Sequence, residues 1–200
     1  MRQGLKNAEG GVTVRRISVA DARVLRDRVL LANMQEGRSV YPGDDAPDTL
    51  HAGAFVDGLI AGVATVCRDS MPGGSITGEW RLRGMATLEE HRGRGFGRCL
   101  AERCAAHATY HRGFLIWCSA RMVAVPFYLS LGFKTHGEKF HLPEYSSEVY
   151  IRMLRPLLSP GRFRIDMFSA QRAETVDEGR LAKTARGALP EMPSHPILSG

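Results

Sequence analysis

The segment Arg92-Gly93-Arg94-Gly95-Phe96-Gly97 stands between a predicted strand at 79–87 and a predicted helix at 95–110. A glycine-rich turn that enters a helix can aim several backbone N–H groups at one point, beside the positive end of the helix dipole. Glycine suits such a turn because it has no side chain to keep an anion away from the backbone. The arginines of the segment and Arg98 add positive charge against phosphate oxygens. The segment therefore predicts a pyrophosphate-binding turn.

The letters of this turn exclude two common nucleotide-binding motifs. A P-loop needs a glycine followed by lysine and then serine or threonine, and the chain has no such triplet. A dinucleotide fingerprint that starts at Gly93 needs a glycine at position 98, where the chain has Arg98. An Arg-Gly repeat of the kind that binds RNA is longer than this segment. A plain exposed turn without a ligand is the remaining alternative.

Hydrophobic periodicity and turn residues predict alternating strands and helices on both sides of the turn. Strands are predicted at 12–17, 51–55, 59–67, 79–87, 114–118, 134–140 and 148–154, and helices at 21–31, 95–110 and 124–131. This order predicts an α/β domain with a mixed sheet over residues 12–155. Residues 1–11 are predicted to form a flexible arm. Residues 156–200 are predicted to be a C-terminal extension, mobile or partly helical near 167–183.

The chain carries a formal net charge of +6, which suits an anionic partner such as nucleic acid or a phosphorylated cofactor. Five arginines cluster in sequence around the glycines: Arg81, Arg83, Arg92, Arg94 and Arg98. This clustering favours a local phosphate site over a long nucleic-acid-binding face. We therefore expect no nucleic-acid partner.

The hydrophobicity of the chain and its cysteine spacing indicate where the protein is located and whether it binds a metal. No apolar run approaches the roughly 18 residues that span a bilayer, and the first residues lack the apolar core of a secretory signal. We expect a cytoplasmic protein without a membrane partner. The cysteines contain no C-x-x-C pair, so we expect free thiols and no metal site. They are Cys67, Cys99, Cys104 and Cys118.

A second motif follows the glycine turn at Pro126-Phe127-Tyr128-Leu129-Ser130-Leu131-Gly132-Phe133. The two motifs, in this order and with a strand between them, resemble the GNAT superfamily of N-acetyltransferases over residues 12–155. Arg92, Gly95 and Gly97 satisfy the family pattern [RQ]-x-x-G-x-[GA]. The resemblance implies the GNAT fold, a mixed and mostly antiparallel sheet flanked by helices, with two central strands that splay apart.

The resemblance also implies acetyl-coenzyme A as the acyl donor and direct transfer to an amine. Backbone groups of Met85, Ala86 and Thr87 are expected to hold the pantetheine arm, and residues 93–98 the pyrophosphate. Tyr128 is the expected general acid, since a phenol with a pKa of about 10 can protonate a leaving thiolate. Many relatives have a coenzyme-contacting asparagine where this chain has Arg121, which is therefore a candidate phosphate contact.

The general base that deprotonates the amine has more than one candidate. Many relatives carry a glutamate on the fourth strand at the position of Arg81. Glu79 lies two residues earlier on the same strand face, so it is a candidate base, acting through a water. Its alternative role is a solvated carboxylate at the strand end. His51 and His136 are further candidates because a neutral imidazole accepts a proton near pH 7.

Arg81 and Arg83 are predicted to face the acceptor. Their charge favours an acceptor that bears a carboxylate or phosphate. Alternatively, the two arginines form ion pairs that support an acidic loop containing Asp44, Asp45 and Asp48.

The function predicted from these motifs is acetyl transfer to a primary amine of a small molecule or peptide. A non-catalytic acyl-coenzyme A-binding module, acting as a sensor or partner domain, is the alternative, because the usual glutamate is missing at position 81. A homodimer is left open.

Overall fold

In the computed structural model, the described residues are 12–30, 39–74, 77–142 and 145–157, all within one compact unit spanning Met1–Pro160. The elements are β1 Thr13–Arg16, α1 Val19–Leu30, β2 Leu50–Val56, β3 Leu59–Arg68, β4 Glu79–Thr87, α2 Phe96–Tyr110, β5 Leu115–Arg121, α3 Val125–Ser130, β6 Lys134–Leu142 and β7 Tyr145–Pro156. One-turn 3-10 helices at Glu89–His91 and Met122–Ala124 precede α2 and α3. The predicted arm at 1–11 and the predicted helix near 167–183 lie outside the described residues.

The strands form one seven-stranded sheet in the order β1-β2-β3-β4-β5-β7-β6. Only the β4–β5 pairing is parallel, and the other neighbours are antiparallel. Asp57-Gly58 makes the tight turn between β2 and β3, as the Asp-Gly step predicts. The expected mixed, mostly antiparallel sheet is confirmed.

The two central strands part along their length. β4 and β5 pair at three positions, the last of which joins Arg81 to Trp117. Beyond this pair, β4 continues to Thr87 and β5 continues to Arg121 without pairing to each other. A gap therefore opens between the C-terminal halves of the two strands, and the glycine turn follows the end of β4.

A bulge interrupts β4 beside this gap. Thr65 of β3 pairs with Arg83 and Val63 pairs with Ala86, so the one residue between them on β3 opposes two residues of β4. The first of these, Gly84, has φ +56, a conformation that L side chains rarely adopt. The bulge changes which face of the sheet the following side chains occupy.

Helices cover both faces of the sheet. The apolar stripe of α2 is buried against β2, β3 and β4 and consists of Phe96, Leu100, Cys104 and Ala108. On α1, Val24 is 70% exposed while Arg26 is fully buried, so the buried face of this helix includes a charged side chain. None of the helices in the described ranges is long and apolar enough to cross a membrane.

Candidate active site

The glycine turn presents free backbone donors at the start of α2. Gly95 precedes the helix with φ +85, and the first backbone bond of the helix runs from Cys99 N to Gly95 O at 3.1 Å. The N–H groups of Phe96, Gly97 and Arg98 therefore have no acceptor within the helix. They lie at the positive end of the helix dipole, as a phosphate-binding turn requires.

The arginines of this turn lie at its surface. Arg92 Nε donates to Thr87 O at 3.4 Å, and an Arg94 guanidinium nitrogen lies 3.0 Å from His91 Nδ1. Arg98 donates to Ser130 O at 3.2 Å and so connects the first turn of α2 to the end of α3. All three side chains are exposed, and their positive charges stand around the free N–H groups.

Tyr128 lies at the floor of the gap between β4 and β5. Its hydroxyl donates to Met85 Sδ at 3.6 Å, and only 8% of the residue is exposed. The rings of Phe127 and Phe133 pack edge-on against it, with centroid distances of 5.1 and 5.4 Å. Burial raises the pKa of Tyr128 well above its usual value, because the charged phenolate is poorly solvated there. The phenol is therefore protonated at neutral pH.

The other predicted pantetheine contacts lie on the unpaired half of β4. Ala86 is buried, while Met85 and Thr87 are half-buried. Met85 contacts the Tyr128 hydroxyl, and Thr87 O accepts a hydrogen bond from Arg92 of the glycine turn. The structure therefore connects this end of β4 both to Tyr128 and to the turn.

Glu79 lies at the other end of β4. Its carboxylate accepts a hydrogen bond from Met71 N at 2.7 Å, and the residue is 5% exposed. Six residues of extended strand place it about 20 Å from Met85. This bond secures the turn between β3 and β4, so Glu79 has a structural role whether or not it also serves as the base.

The arginines predicted near the acceptor all have carboxylate partners. Arg81 pairs with Asp69 at 3.1 Å and stacks on the Trp117 ring, with Cζ 4.7 Å from the centroid. Arg83 pairs with Asp44 at 3.2 Å. The predicted support of the acidic loop therefore fits Arg83, whereas Arg81 pairs outside that loop.

Arg121 lies at the end of β5, and its guanidinium is 3.8 Å from a Glu148 carboxylate oxygen. A third of its side chain is exposed. The side chain is therefore accessible from solvent, with an anionic neighbour already in place.

A buried polar network connects α1 to the sheet on the face opposite α2. The Arg26 guanidinium donates to Asp44 Oδ2 at 2.8 Å and also to Thr65 Oγ1. His51 Nδ1 lies 2.8 Å from the same Thr65 oxygen, and His51 Nε2 is 2.9 Å from Asp44 O. Since a carbonyl oxygen can only accept, Nε2 carries the proton and Nδ1 is the acceptor. Both ring nitrogens of His51 are engaged, which assigns this histidine a structural role.

Sequence reasoning missed the position of Arg26. It lies one residue after Leu25 and four after Ala22, both buried, so a charged residue occupies the buried stripe of α1. The available signal was that Arg26 follows Ala22 by four residues, a spacing that places both on the same helix face. Its Nε would be 2.6 Å from a Cβ placed on Gly84, so Arg26 packs directly against the β4 bulge.

The buried network and His107 predict how stability depends on pH. Burial lowers the pKa of His51 and of His107. Burial alone would raise the pKa of Asp44, but the hydrogen bond and charge of Arg26 lower it overall. All three folded pKa values lie below the unfolded ones, so the unfolded chain takes up protons first as the pH falls.

We expect the melting temperature to be highest above about pH 6.5, to fall as the histidines titrate, and to fall again below about pH 4. Thermal melts between pH 8 and pH 3.5 measure this. His107→Gln should flatten part of the first decline. A melting temperature that rises on acidification from pH 7 to pH 5 would contradict the assignment.

A glycine turn with free backbone N–H groups, a gap between two strands and a protonated phenol beside that gap form the arrangement expected of an acyltransferase that uses a coenzyme thioester. Comparison with known proteins supports this class. Residues 48–135 match the family model described as the acetyltransferase (GNAT) domain. The chain is 34% identical over 137 residues to YitI, an uncharacterized N-acetyltransferase of Bacillus subtilis strain 168. That alignment covers 68% of this chain and 91% of YitI.

Solved structures share the fold. ElaA of Escherichia coli superposes with a TM-score of 0.60 and 15% identity, covering 72% of this chain and 99% of ElaA. An aminoglycoside 6'-N-acetyltransferase complexed with coenzyme A gives a TM-score of 0.59 and 10% identity, covering 75% of this chain and 99% of that enzyme. The chain belongs to the GNAT superfamily of N-acetyltransferases and is an acyltransferase.

Proposed function

We propose that this protein transfers an acetyl group from acetyl-coenzyme A directly to a primary amine of a small molecule or a peptide. The observation that carries the proposal is the Tyr128 hydroxyl beside Met85, in the gap that opens beyond the last β4–β5 pair. The aminoglycoside acetyltransferase that shares the fold was solved with coenzyme A, which supports coenzyme A as the carrier here.

The residues around the gap fit this donor. The free N–H groups at the start of α2, with the glycines and arginines of residues 93–98, suit a pyrophosphate. At Met85–Thr87, β4 pairs with β3 on one side only, and the side left open by β5 suits an extended arm that adds to it. When bound, the coenzyme supplies a thioester whose carbonyl carbon is the electrophile. A backbone N–H within Met85–Thr87 is the proposed donor to the oxyanion that forms on that carbonyl.

Tyr128 is the proposed general acid. In the transfer a C–N bond forms, the C–S bond breaks, and the sulfur needs a proton. The buried Tyr128 phenol is protonated at neutral pH, so it has a proton to give to the leaving thiolate.

The general base, the acceptor contacts and one further coenzyme contact are the remaining parts of the proposal. Glu79 remains a candidate base, and its distance of about 20 Å along β4 requires a chain of several waters, because each hydrogen bond spans only about 3 Å. Arg81 and Arg83 remain candidate acceptor contacts. Asp69 balances the charge of Arg81, whereas Arg83 shares the single Asp44 carboxylate with Arg26 and so keeps an excess of positive charge beside it. Arg121 remains a candidate contact for a coenzyme phosphate.

We also propose a cytoplasmic protein that needs neither nucleic acid nor membrane as a partner. The four cysteines are all unpaired, as is usual in a reducing compartment. A homodimer stays open, and gel filtration with light scattering measures it.

Gly95→Ala tests the phosphate-binding turn. Gly95 has φ +85 and Gly73, in the β3–β4 turn, has φ +83, and a Cβ on either residue would meet nothing within 4 Å. Alanine at either position should cost about 1–2 kcal/mol of stability through backbone strain. Only Gly95→Ala should weaken coenzyme A binding, by about tenfold, because only that turn aims N–H groups at the ligand.

Calorimetric titration with coenzyme A measures both variants, with Gly73→Ala as the matched control. Equal affinity in the wild type and Gly95→Ala would contradict the assignment of the turn.

A thiol-release assay tests the proposed function as a whole. Acetyl-coenzyme A is mixed with the protein and a panel of amines that includes peptide N-termini, and free thiol is followed over time. Thiol release that depends on an amine supports acetyl transfer. Tight coenzyme binding with no release on any amine would instead favour the non-catalytic module.

A further inference from the structure

The Tyr128 hydroxyl has two sulfur neighbours, the Met85 thioether on β4 and the Cys118 thiol on β5, and the thioether can only accept a hydrogen. The hydroxyl donates its hydrogen to the thioether sulfur at 3.6 Å, an ordinary length for a bond to sulfur. Tyr128 is almost fully buried and Met85 is half-buried. In the free protein, the hydrogen that the proposed acid must give to a leaving sulfur is therefore bonded to the sulfur of Met85.

The β4 bulge is what brings this side chain to Tyr128. Before the bulge, Arg83 reaches Asp44 on the α1 face of the sheet. Gly84 faces Arg26 on the same side. After the bulge, Met85 packs in the core on the α2 face, and Ala86 packs in the cluster beside α1. In a regular strand Met85 would share the face of Arg83, two residues earlier, and its sulfur would point away from Tyr128.

A buried hydroxyl without a partner is costly and adopts several rotamers. A thioether is a weak acceptor and carries no proton. It can therefore hold the hydroxyl hydrogen in one direction without competing strongly against an anionic sulfur. A carbonyl or carboxylate at this place would bind the same hydrogen more tightly and keep it from a leaving group.

We propose that the Met85 thioether is a positioning group for Tyr128, which holds the acidic hydrogen toward the gap until a thiolate takes it. This rests on the proposed function, because it assigns Tyr128 as the acid. It concerns the side chain of Met85, whereas the expected coenzyme contacts of this residue are through its backbone.

Carbon-13 NMR of the tyrosine Cζ atoms tests the hydrogen bond without any turnover. Tyr128→Phe identifies the Tyr128 resonance by its loss. In the free protein, Met85→Leu should shift this resonance, since leucine keeps the volume but removes the acceptor. Saturating coenzyme A should bring the Tyr128 resonances of the wild type and Met85→Leu together, because the hydroxyl then bonds to the coenzyme sulfur in both proteins. Identical resonances in the free proteins would overturn the proposal.

Kinetics test whether the bond matters for transfer. Met85→Leu should lower kcat about threefold to tenfold, the range of a single hydrogen bond, without raising KM for acetyl-coenzyme A. Met153→Leu is the matched control, since Met153 is fully buried in the same core, and it should change neither kcat nor the Tyr128 resonance. An unchanged kcat in Met85→Leu, or a raised KM alone, would overturn the positioning role.

Selenium-77 NMR of selenomethionine-labelled protein provides a measurement that needs no substitution of Met85. One selenium resonance should move strongly on Tyr128→Phe, and the same resonance should move when coenzyme A binds to the wild type. No such shared resonance would overturn the hydrogen bond. If the bond is present but Tyr128→Phe transfers acetyl at the normal rate, the acid role of Tyr128 fails instead.

Discussion

Replacing Tyr128 by phenylalanine is expected to lower kcat for acetyl transfer by about 10²- to 10⁴-fold, the usual contribution of a general acid. The change removes only the hydroxyl, and the aromatic packing against Phe127 and Phe133 is retained. The affinity for coenzyme A should stay within about twofold of the wild-type value, because the expected contacts of the coenzyme are backbone groups of β4 and the glycine turn. Stopped-flow thiol release and calorimetric titration measure the two quantities.

Tyr110→Phe is the matched control for this experiment. Tyr110 is 84% exposed at the end of α2, so the loss of its hydroxyl should change neither rate nor affinity. An unchanged rate in Tyr128→Phe would rule out the acid role. A large loss of coenzyme affinity would show that the hydroxyl serves ground-state binding.

Asp44→Asn is expected to cause the largest loss of stability. The Asp44 side chain is fully buried and pairs with Arg26, which is also fully buried. Breaking a buried ion pair by removing one charge costs about 3–5 kcal/mol, because the remaining charge is left uncompensated. For a domain of this size, the melting temperature should fall by roughly 6–20 °C.

Asp45→Asn is the control for this substitution. Asp45 is the next residue, its side chain is 79% exposed, and its partner Arg23 lies 3.6 Å away. Neutralising it should change stability by less than about 1 kcal/mol. Denaturant unfolding and thermal melts at pH 7 measure both variants. Equal stabilities for the two would show that the Arg26–Asp44 pair does not hold α1 and the loop before β2 to the sheet.

Much of the fold follows from local pattern. The predicted strand at 79–87 has the bounds of β4, and the predicted helix at 95–110 differs from α2 by one residue. Alternation, a glycine turn and an apolar stripe are all visible within short windows, so periodicity finds these elements.

The candidate site divides in a similar way. The glycine turn and Tyr128 were found because each belongs to a short motif in which neighbouring letters constrain one another. The ion-pair partner of Arg81 was not found, since Asp69 reaches it only through the pairing of β3 with β4. For Met85, the sequence predicted only a backbone contact with the coenzyme. Strict alternation of side chains along β4 does not reveal that a bulge turns the Met85 thioether toward Tyr128.

The amino-acid order alone therefore predicted the elements, the glycine turn and the tyrosine proposed as the acid, since these depend on patterns among residues close in the chain. The tertiary structure decided that β4 and β5 part after Arg81, that Gly84 turns Met85 toward Tyr128, and that Arg26 is buried. Each of these depends on pairing between strands or on packing between α1 and the sheet. Such contacts join residues tens of positions apart, and no local window of the sequence contains both partners.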